Sequence, residues 1–423
     1  MKRARRRETV LNWYYYSQSG KNGPYSETEM LHLLEDRTID RNTFVVNDQL
    51  KDWIPLHDST LARHAADRAK TNQAAQNSGG WVDNTTERIN AMIGEKGPVD
   101  LNLRNLFSAV FQHHTRDEAE QIFMRGTSLT TPKEHELSAK WPKPWLFSRL
   151  FLLFCTIYLM LYLCYALFDT ESAVSGLILI GSFAVPIVLV VFFFETNVPG
   201  NISILRVGEM FLYGGVASII VTLILYDFVP VNVSPYGIDP FTALMIGIIE
   251  ETGKLIIVIW FIKRMNTKFI LNGLLIGAVI GAGFAAFESA GYVLSTLDRF
   301  TLYQLARSDD FLYVILLRAW ESIGTHAIWT GIAGAAIVKI KQARPFQSKL
   351  LFHAPFIKLF AVPVILHALW DMSLPVMDNV LIKPAALIVV GWLFVFVLIH
   401  SGLRQIMAIQ SSPHQGDSSK AAM

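Results

Sequence analysis

Residues 247–258 read GIIEETGKLIIV, setting Glu250, Glu251 and Lys254 in the middle of an otherwise apolar run. The run, roughly 240–262, is long enough to span a bilayer as a helix rising about 1.5 Å per residue. An ionisable group near the bilayer centre costs on the order of 2.5–3.5 kcal/mol on insertion scales, so three together need a shared purpose. Glu250 and Lys254 stand four apart in the favourable order for a helical ion pair, and Glu251 stands three from the same lysine. One carboxylate can therefore be neutralised while its neighbour, about 100° around the helix, points elsewhere.

The rest of the chain supports a membrane setting. Its 423 residues are 52% hydrophobic and 12% aromatic, and the mean hydropathy is +0.35, well above a soluble globular composition. Apolar residues concentrate after Trp145, behind a polar front. The net charge of +2 says little about partners, and no nucleic acid is expected among them. Cys155 and Cys164 share one apolar segment and are read as packing residues, not as a disulfide or metal pair. The opening MKRARRRE lacks the apolar core and cleavage site of a signal peptide and reads as a solvated basic tail over 1–10.

Eight apolar segments can span a bilayer, at roughly 145–168, 173–194, 204–229, 240–262, 270–294, 311–338, 356–377 and 384–403. Lys140, Lys143, Lys263, Arg264, Lys268, Lys339, Lys341, Arg344 and Lys349 all fall at ends that share one side. The positive-inside rule then leaves both termini in the cytoplasm. The fold class expected is an all-α polytopic membrane protein of about eight helices with a small α+β soluble domain in front. Residues 61–100 read as a linker, 101–144 as a helical juxtamembrane segment, 145–404 as the membrane domain and 405–423 as a flexible tail. In the juxtamembrane segment Thr115 and Glu118 form a capping-box pattern, and its apolar face is free to lie on the membrane or on the protein body.

Residues 11–60 form the soluble domain: an aromatic strand, a Gly-Pro turn, a helix capped by Ser26 with Glu29, then strand-like TFVV and DWIPL. The segment resembles the bacterial GYF-like domain through Trp13-Tyr14-Tyr15, Gly23-Pro24-Tyr25 and Trp53-Ile54-Pro55-Leu56. That resemblance implies an adaptor that holds a protein or proline-rich peptide on aromatic side chains, here Trp13, Tyr15 and Trp53.

Within the membrane segments the ionisable residues cluster in four helices: Glu250, Glu251 and Lys254; Glu288; Arg318, Glu321 and His326; His367 and Asp371. His367 and Asp371, four apart, share a helix face, so the carboxylate can fix the imidazole tautomer. Gly273, Gly277 and Gly281 form a double GxxxG run that lets their helix approach a neighbour and bring Glu288 into the cluster. Arg318 and Glu321 read as a packing ion pair outside the site. No HExxH or GxSxG occurs, and Tyr226-Asp227 lacks the GxGD partner of an aspartyl intramembrane protease. What remains is a glutamate and histidine site in a dry cavity. One glutamate takes a proton from a water attacking a peptide carbonyl, and His326 and His367 stabilise the oxyanion or protonate the leaving amine. The same groups also suit zinc, with ligands among Glu251, Glu288, His326, His367 and Asp371; the metal-free chemistry is the one preferred at this point.

Four motifs in order, EExxK at Glu250–Lys254, FxxxE at Phe284–Glu288, His326 in THAIWTGIAG and HxxxD at His367–Asp371, resemble the PrsW family of intramembrane proteases. That family is distantly like the type II CAAX prenyl proteases. The chain departs at Ser289, where asparagine is expected. The resemblance implies a catalytic set of Glu250, Glu251, Glu288, His326, His367 and Asp371, supported by Lys254 and Phe284. It further implies cleavage of membrane-associated proteins in a bacterial cytoplasmic membrane, in some relatives during envelope-stress signalling. The competing readings are a proton-coupled transporter or channel and an inactive scaffold acting through its soluble domain. A transporter predicts repeats or interrupted helices in matching halves, and neither is visible in the sequence.

Overall fold

The computed structural model describes residues 12–411 apart from 18–19, 36–37, 49, 51, 63–79, 169, 232–236, 304–309 and 374–381. The basic tail, most of the assigned linker and residues 412–423 lie outside the described residues. The chain forms two compact units, Met1–Asn84 and Thr85–Met423.

In the first unit, β1 (Trp13–Ser17), β2 (Gly20–Tyr25), β3 (Phe44–Asn47) and β4 (Ile54–Pro55) form an antiparallel sheet in the order β2-β1-β3-β4. Helix α1 (Glu27–Glu35) follows β2. The predicted capping box starts it: the Ser26 amide donates to Glu29 at 2.7 Å and the Glu29 amide donates back to the Ser26 hydroxyl at 3.3 Å. Trp13, Met30, Val45, Leu56 and Leu61 fill the core. Trp13 is only 1% exposed, which corrects its assignment as a peptide contact: a side chain that forms the centre of so small a core has no surface to offer. Tyr15 is half-buried and stacks on Tyr25. The exposed aromatic is instead Tyr16, which packs edge-on against half-buried Trp53 with ring centroids 5.6 Å apart.

The second unit opens with α2 (Trp81–Met92), which lies in the stretch assigned to the linker, followed by the short α3 (Leu103–Leu106) and α4 (Arg116–Phe123). The Thr115–Glu118 capping box is formed at α4. Leu106, Ile122 and Leu137 are buried in the main core and dock this segment on the protein body, while Leu103 and Phe111 stay exposed. Ion pairs add to the docking: Glu134 with Lys268, and Glu95 with Lys339 at 2.6 Å.

Then come α5 (Leu146–Phe168), α6 (Ser172–Thr196), α7 (Ile204–Phe228, with a π turn at Met210–Gly214), α8 (Pro240–Met265), α9 (Ile270–Tyr303), α10 (Asp310–Glu321), α11 (His326–Lys341), α12 (Ala354–Asp371) and α13 (Ile382–Ser411). Seven spans among the described residues are long and apolar enough to cross a membrane, counting α10 and α11 as one. The sequence count of about eight differs by α8, whose 26 residues suffice in length but carry Glu250, Glu251 and Lys254. The sixth segment, read as continuous, is broken at 322–325. The break is held in place: the Trp392 indole donates to the Ile323 carbonyl at 3.0 Å, and a Cβ at Gly324 would lie 2.4 Å from Ile388. A neighbouring helix thus satisfies backbone that leaves the helical ladder inside the bilayer. The predicted tail begins late, since α13 continues to Ser411.

Two further contacts fix the helix packing, the second beside the site. Glu195 of α6 caps the start of α5, accepting the amides of Trp145, Leu146 and Phe147 at 2.9–3.0 Å. The glycine run of α9 packs on α11, where a Cβ at Gly277 would sit 2.1 Å from the Thr330 carbonyl oxygen and one at Gly281 2.1 Å from that of His326. Only glycine permits this approach, which brings α9 beside the residue that opens α11.

Candidate active site

Helices α8, α9, α11 and α12 each deliver part of one buried cluster. Helix α8 starts at Asp239, whose carboxylate caps the amides of Phe241 and Thr242 at 3.0 and 3.1 Å, with Pro240 at the first helical position. Asp239 lies outside the membrane segments, and hydrogen bonds from Thr242 and its neighbours hold its carboxyl below the usual range. A Cβ at Gly247 would meet the Val364 carbonyl oxygen at 2.9 Å, so α8 and α12 pack closely at the level of His367.

Lys254 is fully buried and forms the hub. Its ammonium donates to Glu251 Oε1 at 2.7 Å, to Glu250 Oε2 at 3.4 Å and to His326 Nδ1 at 2.8 Å. It also lies 4.3 Å from the centroid of Phe284, which gives the phenylalanine of FxxxE a cation–π role. An ammonium has no lone pair to offer, so His326 Nδ1 accepts and its Nε2 carries the ring proton toward Glu288 Oε2, 3.1 Å away.

His367 Nδ1 lies 2.9 Å from Glu251 Oε1, and its Nε2 lies 3.3 Å from Asp371 Oδ2 and 3.7 Å from Glu250 Oε2. Glu251 therefore stands behind the imidazole and orients it, while Asp371 and Glu250 stand at its other edge. Glu251 Oε2 is buried without a hydrogen-bond partner among the described residues.

A cavity of about 380 Å³ opens on this cluster, lined by Glu250, Glu288, His326, His367 and Asp371 among others. All the sequence-predicted catalytic residues except Glu251 line it. Three residues beyond the sequence reading also belong here. Arg318, assigned to packing, pairs with Glu288 and Glu321 and donates to Ser289 Oγ at 3.3 Å, so the serine at the departing position makes a polar contact after all. Tyr226 donates its hydroxyl to Glu250 Oε1 at 3.3 Å. Thr325, beside the first residue of α11, lines the cavity, where the helix N-terminus carries partial positive charge. The SIGT run before His326 signals a break in a span; nothing local in LILYDF marks Tyr226.

Glu250, His326 and His367 each offer one ligand atom, all within 4.8 Å of one another. The metal set expected from sequence named Glu251 in place of Glu250; the rotation of α8 turns Glu250 to the cavity and Glu251 away from it. Two imidazoles and a carboxylate form the donor set of a catalytic zinc site with a position left for water. Glu251, accepting the proton of His367 Nδ1, orients the ring and leaves Nε2 free as a ligand. The residues fit a divalent metal once His326 carries its ring proton on Nδ1 and frees Nε2, with Lys254 then held by Glu250 and Glu251.

A multi-pass membrane protein with a buried Glu/His/His centre is the class defined by these observations. Residues 204–399 match the model of the PrsW family intramembrane metalloprotease, and residues 13–60 match GYF domain 2. Residues 204–399 are thus a PrsW family intramembrane protease domain, and residues 13–60 are a GYF domain. No curated protein and no solved structure matches the chain significantly.

Proposed function

We propose that this protein is a metal-dependent endopeptidase that hydrolyses peptide bonds of membrane-associated proteins at the Glu250, His326 and His367 centre. The observation that carries the reading is the convergence of these three groups, from three helices, within 4.8 Å at the wall of a buried cavity. When bound, a divalent ion such as zinc supplies Lewis-acid polarisation of a carbonyl and a water activated near neutral pH.

The chain's own residues do the rest. Lys254 balances the charge of Glu250 and Glu251 and keeps both carboxylates in place. Glu251 holds the proton of His367 at Nδ1, presenting Nε2 to the cavity. Glu288, beside His326 on the cavity wall, is placed to take a proton from the attacking water and to return it to the leaving amine as general acid. Arg318 orients Glu288 for this exchange, and the N-terminus of α11 favours the developing oxyanion.

In this reading α8 crosses the bilayer as an eighth span, its charges facing protein rather than lipid, in a bacterial cytoplasmic membrane with both termini cytoplasmic. The GYF domain presents Tyr16 and Trp53 to a protein partner. A second reading is favoured by the 2.8 Å contact from Lys254 to His326 Nδ1: it keeps the ring proton on Nε2, and Glu250 then serves as a metal-free general base.

Proteoliposomes holding wild type or Glu250→Gln, assayed with single-span membrane substrates and analysed for bound metal, decide between them. The metal reading expects about one equivalent of metal, loss of cleavage on chelation with recovery on zinc, and loss of both metal and cleavage in the variant. Cleavage that survives chelation in metal-free protein selects the glutamate base. Undiminished cleavage by Glu250→Gln overturns both.

A further inference from the structure

A second hollow, of about 440 Å³, lies between α7 and α9 and shares Tyr226, Glu250, Glu288 and Tyr292 with the catalytic cavity. Its remaining walls include Ile219, Leu223, Phe284 and Phe287. One hollow is therefore polar and the other mostly apolar, and they meet at the Glu250 carboxylate.

Glycines explain why the two helices part here. A Cβ at Gly215 would fall 2.7 Å from the Gly283 carbonyl carbon, and one at Gly283 would fall 2.1 Å from the Phe211 carbonyl oxygen. Backbone meets backbone at that level. Farther along α9, at Gly291, about 12 Å on by helical rise, a Cβ would meet nothing within 4 Å. The helices touch at the glycine pivot and diverge toward Tyr226 and Tyr292. The outer surface of α7 beside the gap is a stripe of exposed Val216, Ile220, Leu223 and Ile224, which in a membrane faces lipid.

The inner end of the hollow is polar, at Tyr226, Glu250 and Glu288. A hydrocarbon chain leaves those groups unmet, whereas a peptide backbone brings both donors and acceptors.

We propose that the groove between α7 and α9 is a lateral entrance through which an apolar transmembrane segment of a protein substrate passes from the bilayer to Glu250. Its apolar side chains lie on Ile219, Leu223 and Phe287, and its backbone comes within reach of Tyr226 and Glu250. Tyr226, hydrogen-bonded to Glu250, stands at the threshold as a positioning residue. The proposal rests on the protease reading for what happens next, but binding in the groove can be tested without turnover.

In proteoliposomes of the full-length Glu250→Gln protein, the photocrosslinking residue benzoylphenylalanine is placed at Leu223 or, as a lipid-facing control, at Leu152 of α5. The probe is a biotinylated Leu/Ala transmembrane peptide of about 20 residues. At least fivefold more labelling from position 223 than from 152 supports the entrance; equal labelling overturns it, whether or not the protein proves to be a protease. In the active enzyme, Gly291→Trp is expected to lower the ratio of transmembrane-substrate to soluble-peptide cleavage at least tenfold. A ratio that stays put counts against lateral entry while leaving the hydrolytic reading intact. Absence of all hydrolysis in wild type sinks that reading and leaves the crosslink to decide the entrance.

Discussion

At the residue scale the site divides between groups that face the cavity and groups that hold them there. Glu250 and Glu251 are chemically alike and adjacent, yet one lines the cavity and the other bonds Lys254 and His367 from behind. EExxK announces the pair, but which carboxylate faces inward depends on the rotation of α8, fixed by its Asp239 cap and by its packing at Gly247. Arg318 was hidden for a similar reason: three residues from Glu321, it satisfies a local ion-pair rule, and its partner Glu288 is distant in sequence. Removing one member of a buried pair strands the other, at a cost on the order of 3–5 kcal/mol. Arg318→Met is expected to lower kcat/KM by about 10–100-fold. Glu321→Gln, which touches only the rim of the network, is expected to change it less than about threefold. Arg318→Lys should recover only part of the loss, because one ammonium cannot reach Glu288, Ser289 and Glu321 together as the guanidinium does. Equal activity in all three variants would return Arg318 to a packing role.

At the scale of elements, most helices were visible as apolar runs, and the GxxxG spacing correctly marked the close face of α9. What the runs did not show was how a run is used. The stretch 311–338 is apolar enough to read as one span, yet it breaks at 322–325 so that His326 starts a helix instead of lying within one. That interruption is stabilised by Trp392 and Ile388 from α13, contacts with no signature in the local sequence. Helix α8 posed the opposite problem, since the charges that lower its hydropathy are those that other helices shelter. The α9–α11 contact leaves no room for side chains, and overpacking costs about 1–3 kcal/mol even where side chains can shift. Gly277→Leu, opposed by backbone, is expected to lower the detergent-solubilised Tm by several degrees and to abolish cleavage, while Gly291→Ala, in open space, leaves the Tm unchanged. Thermal unfolding followed by circular dichroism checks both.

At the scale of the whole molecule, the chain joins a catalytic membrane body to a GYF domain with its own sheet and core. The aromatic motif made that domain legible, but not which aromatics are surface: Trp13 was the natural candidate for binding and is the centre of the core instead. Because the domain has its own hydrophobic core, deleting residues 1–60 is expected to change substrate choice or regulation and to leave kcat/KM for a minimal single-span substrate within about twofold. Purified truncation and full-length protein, compared in the same vesicles, test this. Loss of hydrolysis in a well-folded truncation would mean that the domain helps to assemble the site.

Helix α5 stands apart from the region that matches the PrsW family, which begins at residue 204. None of its most apolar window is buried within the protein, and it carries Cys155 and Cys164, the only two thiols in the chain, both exposed. Both thiols of the molecule thus sit on the helix whose apolar window is least buried among the described spans, away from the Glu/His cluster. Replacing both cysteines with serine or alanine should disturb no packed contact, giving a blank background for paired spin labels on α7 and α9. Left in place, the same two thiols would report the depth of α5 in the bilayer without any mutation.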